Sequence, residues 1–364
     1  MTPMQTPIWQ RPDFLRRLAV TAAAVLVYRL GTHIPMPGLN VEALALQTHS
    51  LGVSFGSGSA IQRVSINLLG INPILTVLMY CEALKLVFTG IGAWEMTSLA
   101  NWHRLQHFLL VCVLAVSLLQ GYGIALAFER LENGNSGLLS DGSVQSRIAI
   151  IVTTTALSAL NWWLMGVITR EGAGNGLWVL YASLIAISWP GNVASAFELI
   201  NHGAISLHQW LVPLMIALLG LAALFAIIRA AGTQGVAIVG PWPAILGASL
   251  AQWLVFLPMA MYGNFNTMTD SANLVKAVLT FLLVAWFAWI KSWRDSVPSL
   301  VGSSSVGLVS ISAVLQGVLC AASASVVNLL GTPFNVSGVS LIVLATLAAS
   351  FTGGGERDLA SKHG

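Results

Sequence analysis

Ten runs of mostly apolar residues, each near the length a helix needs to cross a bilayer, follow one another with little between them. They fall at 15–33, 68–91, 104–128, 148–168, 175–196, 207–229, 242–263, 272–292, 305–330 and 335–351. A spanning helix needs about 20 such residues, and inside lipid its backbone must satisfy its own hydrogen bonds. The runs therefore predict an all-α polytopic membrane protein with ten transmembrane helices. Composition agrees, with 56% hydrophobic and only 8% charged residues among 364, and little is left for a soluble domain. The first run is longer and less interrupted than a cleavable signal, and no small-residue cleavage motif follows it, so it is read as a retained span.

One run is broken at its start. The Gly/Ser-rich amphipathic segment from Leu51 to Ile66 passes without a linker into Leu68-Leu-Gly-Ile-Asn-Pro-Ile-Leu-Thr-Val-Leu-Met-Tyr80. This reads as a short helix feeding an interrupted membrane helix. Interruption at bilayer depth is tolerated where the loose backbone groups are buried in protein or line a wet cavity, so the pattern points to a pathway through the membrane.

Several function classes fall away. Cys81, Cys112 and Cys320 all lie inside apolar runs, where they serve as small apolar residues, with no disulfide framework or metal spacing. No cofactor is expected. Asymmetry of loop charge sets orientation. With both ends cytoplasmic, that face holds Arg11, Arg16, Arg17, Lys85, Arg104, Arg170, Arg229, Lys291, Arg294, Arg357 and Lys362, against Arg63, Arg130, Arg147 and Lys276 outside. The net charge of +3 reflects this bias and not a nucleic-acid surface. The loops are short, apart from a polar outer stretch from Glu129 to Arg147.

Two halves are suggested, Thr21 to Pro190 and Leu207 to Ser350. The second span carries Asn72-Pro73-Ile74-Leu75 and the seventh carries Trp242-Pro243-Ala244-Ile245-Leu246. A Pro near the start of corresponding helices points to an inverted repeat around a central site.

Five segments resemble one known family, in its order and at its spacing. They are Arg29-Leu-Gly-Thr-His-Ile-Pro-Met-Pro-Gly38, the stretch Leu51 to Leu75, Ile168-Thr-Arg-Glu-Gly-Ala-Gly-Asn-Gly176, Gly240-Pro-Trp-Pro-Ala-Ile-Leu-Gly-Ala-Ser249 and Ser337-Gly-Val-Ser-Leu-Ile-Val343. The family is SecY, the protein-conducting channel. The resemblance implies ten spans in two inverted five-helix halves, residues 1–200 and 201–364, around an hourglass pore that opens to lipid between the second and seventh spans. It implies a plug at about 51–66, represented by Phe55, Gly56, Gly58, Ile61, Arg63 and Ser65. It implies a pore ring of Ile71, Leu75, Leu177, Tyr181, Ile245 and Val343. Five of the six are aliphatic, as a dewetting collar requires. Tyr181 departs from the usual aliphatic residue, and its hydroxyl needs a partner or water. Asn175 is placed to cap the fifth span.

The resemblance further implies a protein-conducting channel subunit for translocation or membrane insertion, in the bacterial inner membrane with both termini cytoplasmic. It implies polypeptide substrates, contact with membrane lipid, a SecE-like small subunit and a SecG-like one. The chain also departs from the family. The basic hairpin between the sixth and seventh spans is reduced to Arg229–Gly240, and that between the eighth and ninth to about Lys291–Ser304, without the family's Gly-x-Arg-Pro-Gly docking motif. The loop after the second span, Trp94 to His107, is short. Docking of ribosomes or the SecA motor relies on Lys and Arg meeting phosphate or acidic surface, so weak binding of both and a specialised set of substrates are expected.

Other classes fit less well. A secondary transporter uses inverted repeats equally, but it places ionisable groups near the midplane. Here Arg29, Glu82 and Lys85 sit towards span ends, and Glu82 with Lys85 reads as a surface helix pair. An intramembrane enzyme lacks its constellation: Gly56-Ser-Gly-Ser59 has no His at matching depth, and His103 with His107 has no third ligand. A non-conducting scaffold derived from SecY has no need of a plug and an apolar neck.

Overall fold

The computed structural model describes residues 13–37, 65–130, 144–204, 206–233, 240–261, 270–296, 303–330 and 337–351. Among these residues the fold is all helical: α1 (Phe14–Gly31), α2 (Asn72–Val87), α3 (Thr89–Thr97), α4 (Leu99–Arg130), α5 (Val144–Glu171), α6 (Gly176–Asn201), α7 (Leu207–Thr233), α8 (Trp242–Met261), α9 (Asp270–Ser296), α10 (Ser303–Leu330) and α11 (Gly338–Phe351). Among the described residues, four stretches are long and apolar enough to cross a membrane: Leu99–Phe128, Val144–Glu171, Leu207–Ala231 and Leu274–Ser292. Shorter apolar helical stretches are Gly176–Ala186, Trp242–Pro258, Val306–Ala322 and Gly338–Phe351.

The second apolar run differs from its expected form. Its helix stops at Val87, Phe88 is extended (φ −106°, ψ 90°), and α3 follows at once. The stretch from Trp94 to His107, expected as a loop, is instead the end of α3 and the beginning of α4. Ser98, also extended, makes the joint, and its Oγ accepts the Asn101 N–H at 3.1 Å. A Ser at this position satisfies one of the free N–H groups of the following helix, so α4 begins before the apolar run does. The Phe88 elbow carries a cluster of charge. Lys85 Nζ reaches Glu82 Oε1 at 3.0 Å on its own helix and Glu95 Oε2 at 2.8 Å on α3. All three side chains are mostly buried, which corrects the surface-pair expectation for Glu82 and Lys85. Lys85 reaches across the elbow because the elbow folds Glu95 back towards it.

The chain forms two compact units. One is Leu15–Leu180; the other is Tyr181–Gly364 with Met1–Phe14, so the division falls within α6. In the first, α4 packs along α5, and Met36, Ala125 and Ile150 form a core joined by Leu68, Ile124 and Phe128. Ser117, Thr154 and Ser158 are buried in this unit, and each hydroxyl donates to a carbonyl of its own helix.

In the second unit α9 packs against both α8 and α10. The buried side of α9 is Ala277, Thr280, Val284 and Ala288, while Leu274, Val278, Leu282 and Trp286 are exposed at four-residue spacing. Lipid is as apolar as leucine, so membrane helices sort by size and put small residues where backbones must approach. Gly247 of α8 shows how close the approach is. A Cβ there would lie 2.6 Å from the backbone nitrogen of Val284, and a backbone atom cannot move aside as a side chain does.

Gly247→Val should therefore destabilise this unit by about 2 kcal/mol or more, at the upper end of overpacking costs. The check is the thermal midpoint of purified protein in detergent, which falls by several degrees, whereas the exposed change Leu282→Val leaves it nearly unmoved.

Candidate functional site

Residues 65–75 begin in extended backbone. Ser65 pairs in an antiparallel bridge with Pro35, and Ile66 N–H donates to Ile34 O at 2.9 Å. The Pro-rich turn after α1 and the end of the expected plug segment are thus held side by side. The chain then coils through tight turns, with Leu68, Gly70 and Asn72 N–H groups bonded to Ser65, Asn67 and Leu69 carbonyls at 2.9–3.0 Å. Gly70 adopts φ 52°, a left-handed conformation that glycine enters without steric cost. Helix α2 starts with Ile71 as its N-cap and Pro73 in the first two positions, where the missing N–H costs no helical bond. Ile71 is fully buried and Leu75, one turn on, is half-buried, with its N–H on Ile71 O.

The turn from α5 into α6 is equally specified. Gly174 has φ 88°. Ala173 N–H donates to Thr21 Oγ1 at 2.8 Å, and Arg17 Nη1 donates to Gly172 O at 3.2 Å, so α1 satisfies the end of α5. Gly176 N–H donates to Thr169 Oγ1, and a Cβ on Gly176 would overlap the Met165 carbonyl. Asn175 caps α6 as expected, its Oδ1 accepting the Leu177 N–H at 3.1 Å. Leu177 is buried in the first turn of α6, and Tyr181 follows one turn later.

In the second unit, α8 opens with Trp242 and Pro243, and Ile245 N–H bonds to Pro241 O at 3.1 Å. This reproduces the Pro-initiated start of α2. Ile245 is half-buried. Helix α11 is capped by Ser337, whose Oγ accepts the Ser340 N–H at 3.1 Å, and Val343 is fully buried two turns in. The side chains of Ser340 and Ser337 lie near the Tyr181 hydroxyl and supply the polar surroundings it required. These serines are the cap of α11 and a residue of its first turn.

All six ring candidates thus stand at the N-cap or in the first two turns of α2, α6, α8 and α11. Of the plug candidates, Ser65 is fully buried. Phe55, Gly56, Gly58, Ile61 and Arg63 lie outside the described residues.

A protein-family model for SecY matches residues 65–239. Among curated relatives, the chain is 29% identical over 204 residues to the protein translocase subunit SecY of Streptomyces scabiei, covering 52% of this chain and 46% of the relative. It is 28% identical over 192 residues to that of Bacillus subtilis strain 168 (51% and 44%). Over its central part the chain is therefore similar to SecY. The chain spans about half the length of these curated relatives.

Solved structures extend the likeness in fold. A protein-conducting channel gives a TM-score of 0.58 at 12% identity over 95% of this chain and 93% of the other. Sec61 from the canine ribosome–channel complex gives 0.56 at 12%, again covering 95% and 93%. A SecY structure concerned with a plug domain that maintains a membrane seal gives 0.58 at 14%, covering 96% and 94%. The SecY family model includes Ser65, Ile71, Leu75, Leu177 and Tyr181, while Ile245 and Val343 lie beyond its end.

Sequence reading missed the polar groups that hold these turns. Thr21 and Arg17 were hidden among other residues of the first span. Asn161, in the middle of an apolar run, carried a readable signal, since polar groups in membrane helices are costly unless paired.

Asn175→Ala removes the α6 cap and should cost about 1 kcal/mol locally. Hydrogen exchange of the 176–180 amides should quicken about fivefold while that of α4 stays unchanged.

Proposed function

We propose that this chain is the channel subunit of a protein translocase, which moves unfolded polypeptide through an apolar neck or releases apolar helices into lipid. The observation that supports this most is the coincidence of similarity to SecY over residues 65–239 with apolar side chains at the openings of four helices, two of them started by proline. In this reading ten spans form two inverted halves, Ile71, Leu75, Leu177, Tyr181, Ile245 and Val343 close into a collar, and residues of about 51–66 serve as the plug. A narrow apolar collar excludes water and ions by dewetting, and it can stretch around a peptide because aliphatic side chains make no directional bonds. Tyr181 is compatible with this, since the side chains of Ser337 and Ser340 lie near its hydroxyl and leave its ring as the apolar part.

Insertion of an apolar segment needs no covalent chemistry. Partitioning of about 20 apolar residues into lipid supplies the drive. A long polar substrate needs an external motor, and the shortened hairpins carry few basic residues to dock one, which is why the chain fits a specialised clientele. The membrane is the bacterial plasma membrane, with both termini on the cytoplasmic, Arg-rich side. A SecE-like subunit and a SecG-like subunit complete the channel.

Two experiments test this. A photoreactive amino acid at Ile245 in living cells should capture polypeptides that a probe at exposed Leu282 does not. Capture of no polypeptide at Ile245, with partner subunits present, contradicts channel function and favours a scaffold. Separately, the basic residues near the shortened hairpins are few and helical, Arg229 on α7 and Lys291 and Arg294 on α9. Co-sedimentation with ribosomes or SecA at physiological salt should fall well below that of a housekeeping SecY, and equal binding would overturn the specialised reading.

A further inference from the structure

Buried polar groups of the Leu15–Leu180 unit converge on the turn that leads into α2. Asn161, in the middle of α5, is 1% exposed, and Asn67 in the turn is 5% exposed. The Asn161 amide nitrogen donates to Asn67 Oδ1 at 2.9 Å and to the Gly70 carbonyl at 2.9 Å. Asn67 Nδ2 in turn donates to Tyr28 O on α1 at 3.4 Å. The orientation of each amide follows from chemistry. Gly70 and Tyr28 present carbonyl oxygens, so the groups facing them are NH2, and this leaves Asn67 Oδ1 to accept from Asn161. Both N–H bonds of Asn161 are therefore spent on one turn.

We infer that Asn161 is the positioning residue for Ile71, fixing the turn that presents it. This rests on the reading of Ile71 as a collar residue. Gly70 sits in the left-handed region (φ 52°), but glycine enters several other regions as readily, so sterics alone do not hold it there. It is held by hydrogen bonds on both sides, its N–H on Asn67 O at 2.9 Å and its carbonyl captured by Asn161, which itself also grips Asn67. Without the Asn161 amide, the buried Asn67 Oδ1 and the partly buried Gly70 carbonyl lose their donor, and Gly70 is freer to leave this conformation. Ile71 is the next residue, so its side chain moves with the turn. A collar that seals by apolar contact fails once one side chain withdraws and water enters. Asn161 touches no substrate; it acts through Gly70 and Asn67 on Ile71.

The test uses the full chain, purified with its co-purifying partners and reconstituted in liposomes, with ion leak as the readout and thermal midpoint as the check on folding. Asn161→Leu and Asn67→Ala should each raise leak about fivefold or more, as expected for loss of buried hydrogen bonds, while each still unfolds in one cooperative transition whose midpoint falls no further than that of Gly247→Val, a packing variant in the other unit that should not leak. Ile71→Ser should also leak. The double variant Asn161→Leu/Ile71→Ser should leak no more than Ile71→Ser alone, which a general loosening of the fold would not produce. If Asn161→Leu does not accumulate, Asn67→Ala carries the test. A tight Asn161→Leu or Asn67→Ala beside a leaky Ile71→Ser overturns this inference and leaves the collar standing. Multiplicative leak in the double variant also overturns it. Tight behaviour of Ile71→Ser removes the collar assignment and this inference with it.

Discussion

Among the described residues, each helix opening depends on where its unpaired backbone groups find partners, because lipid offers none. The chain answers locally at each break. Before α2, successive tight turns and the Asn161 amide take up the carbonyls of Ser65, Asn67, Leu69 and Gly70. Between α5 and α6, Arg17 and Thr21 of α1 take the Gly172 carbonyl and the Ala173 N–H, while Thr169 and Asn175 serve the next helix. Before α11, Ser337 does the same. These partners let the backbone leave the helix without stranding its polar groups.

Helix packing supports those breaks. Small residues on the contact faces, such as Ala277, Thr280 and Ala288 of α9, let backbones approach closely enough that Gly247 has no room for a methyl group. Tight contact of this kind is the main cohesive force available between helices already surrounded by apolar solvent. The larger apolar side chains, Leu274, Val278, Leu282 and Trp286, remain on the outside.

Much of this was legible in the sequence, for identifiable reasons. The all-helical character followed from apolar runs that have no other solution in lipid, and the α2 and α8 starts followed from Pro73 and Pro243. Asn175 was recognisable as a cap because it precedes a glycine and an apolar run. Less legible were features that depend on what folds back onto what. The stretch from Trp94 to His107 looked like a loop because its polar residues dilute the apolar pattern, yet Ser98 caps a helix there. Glu82 and Lys85 looked like a surface pair because Glu95 lies ten residues beyond Lys85 and meets it only through the Phe88 elbow. The serines near the Tyr181 hydroxyl, Ser337 and Ser340, are far away along the chain, and no local pattern announces them.

The proposed channel requires Ile71 and Ile245 to face one another across a narrow apolar neck. Oxidative cross-linking of Ile71→Cys with Ile245→Cys, with Cys81, Cys112 and Cys320 replaced by alanine, measures this. A protease site between the two positions would report the link as a chain that stays joined after cleavage. A neck of this kind gives efficient cross-linking of the pair, by disulfide or a short bifunctional thiol reagent, and none for Ile71→Cys with Leu282→Cys. No link between Ile71→Cys and Ile245→Cys under conditions that retain the folded protein would contradict it.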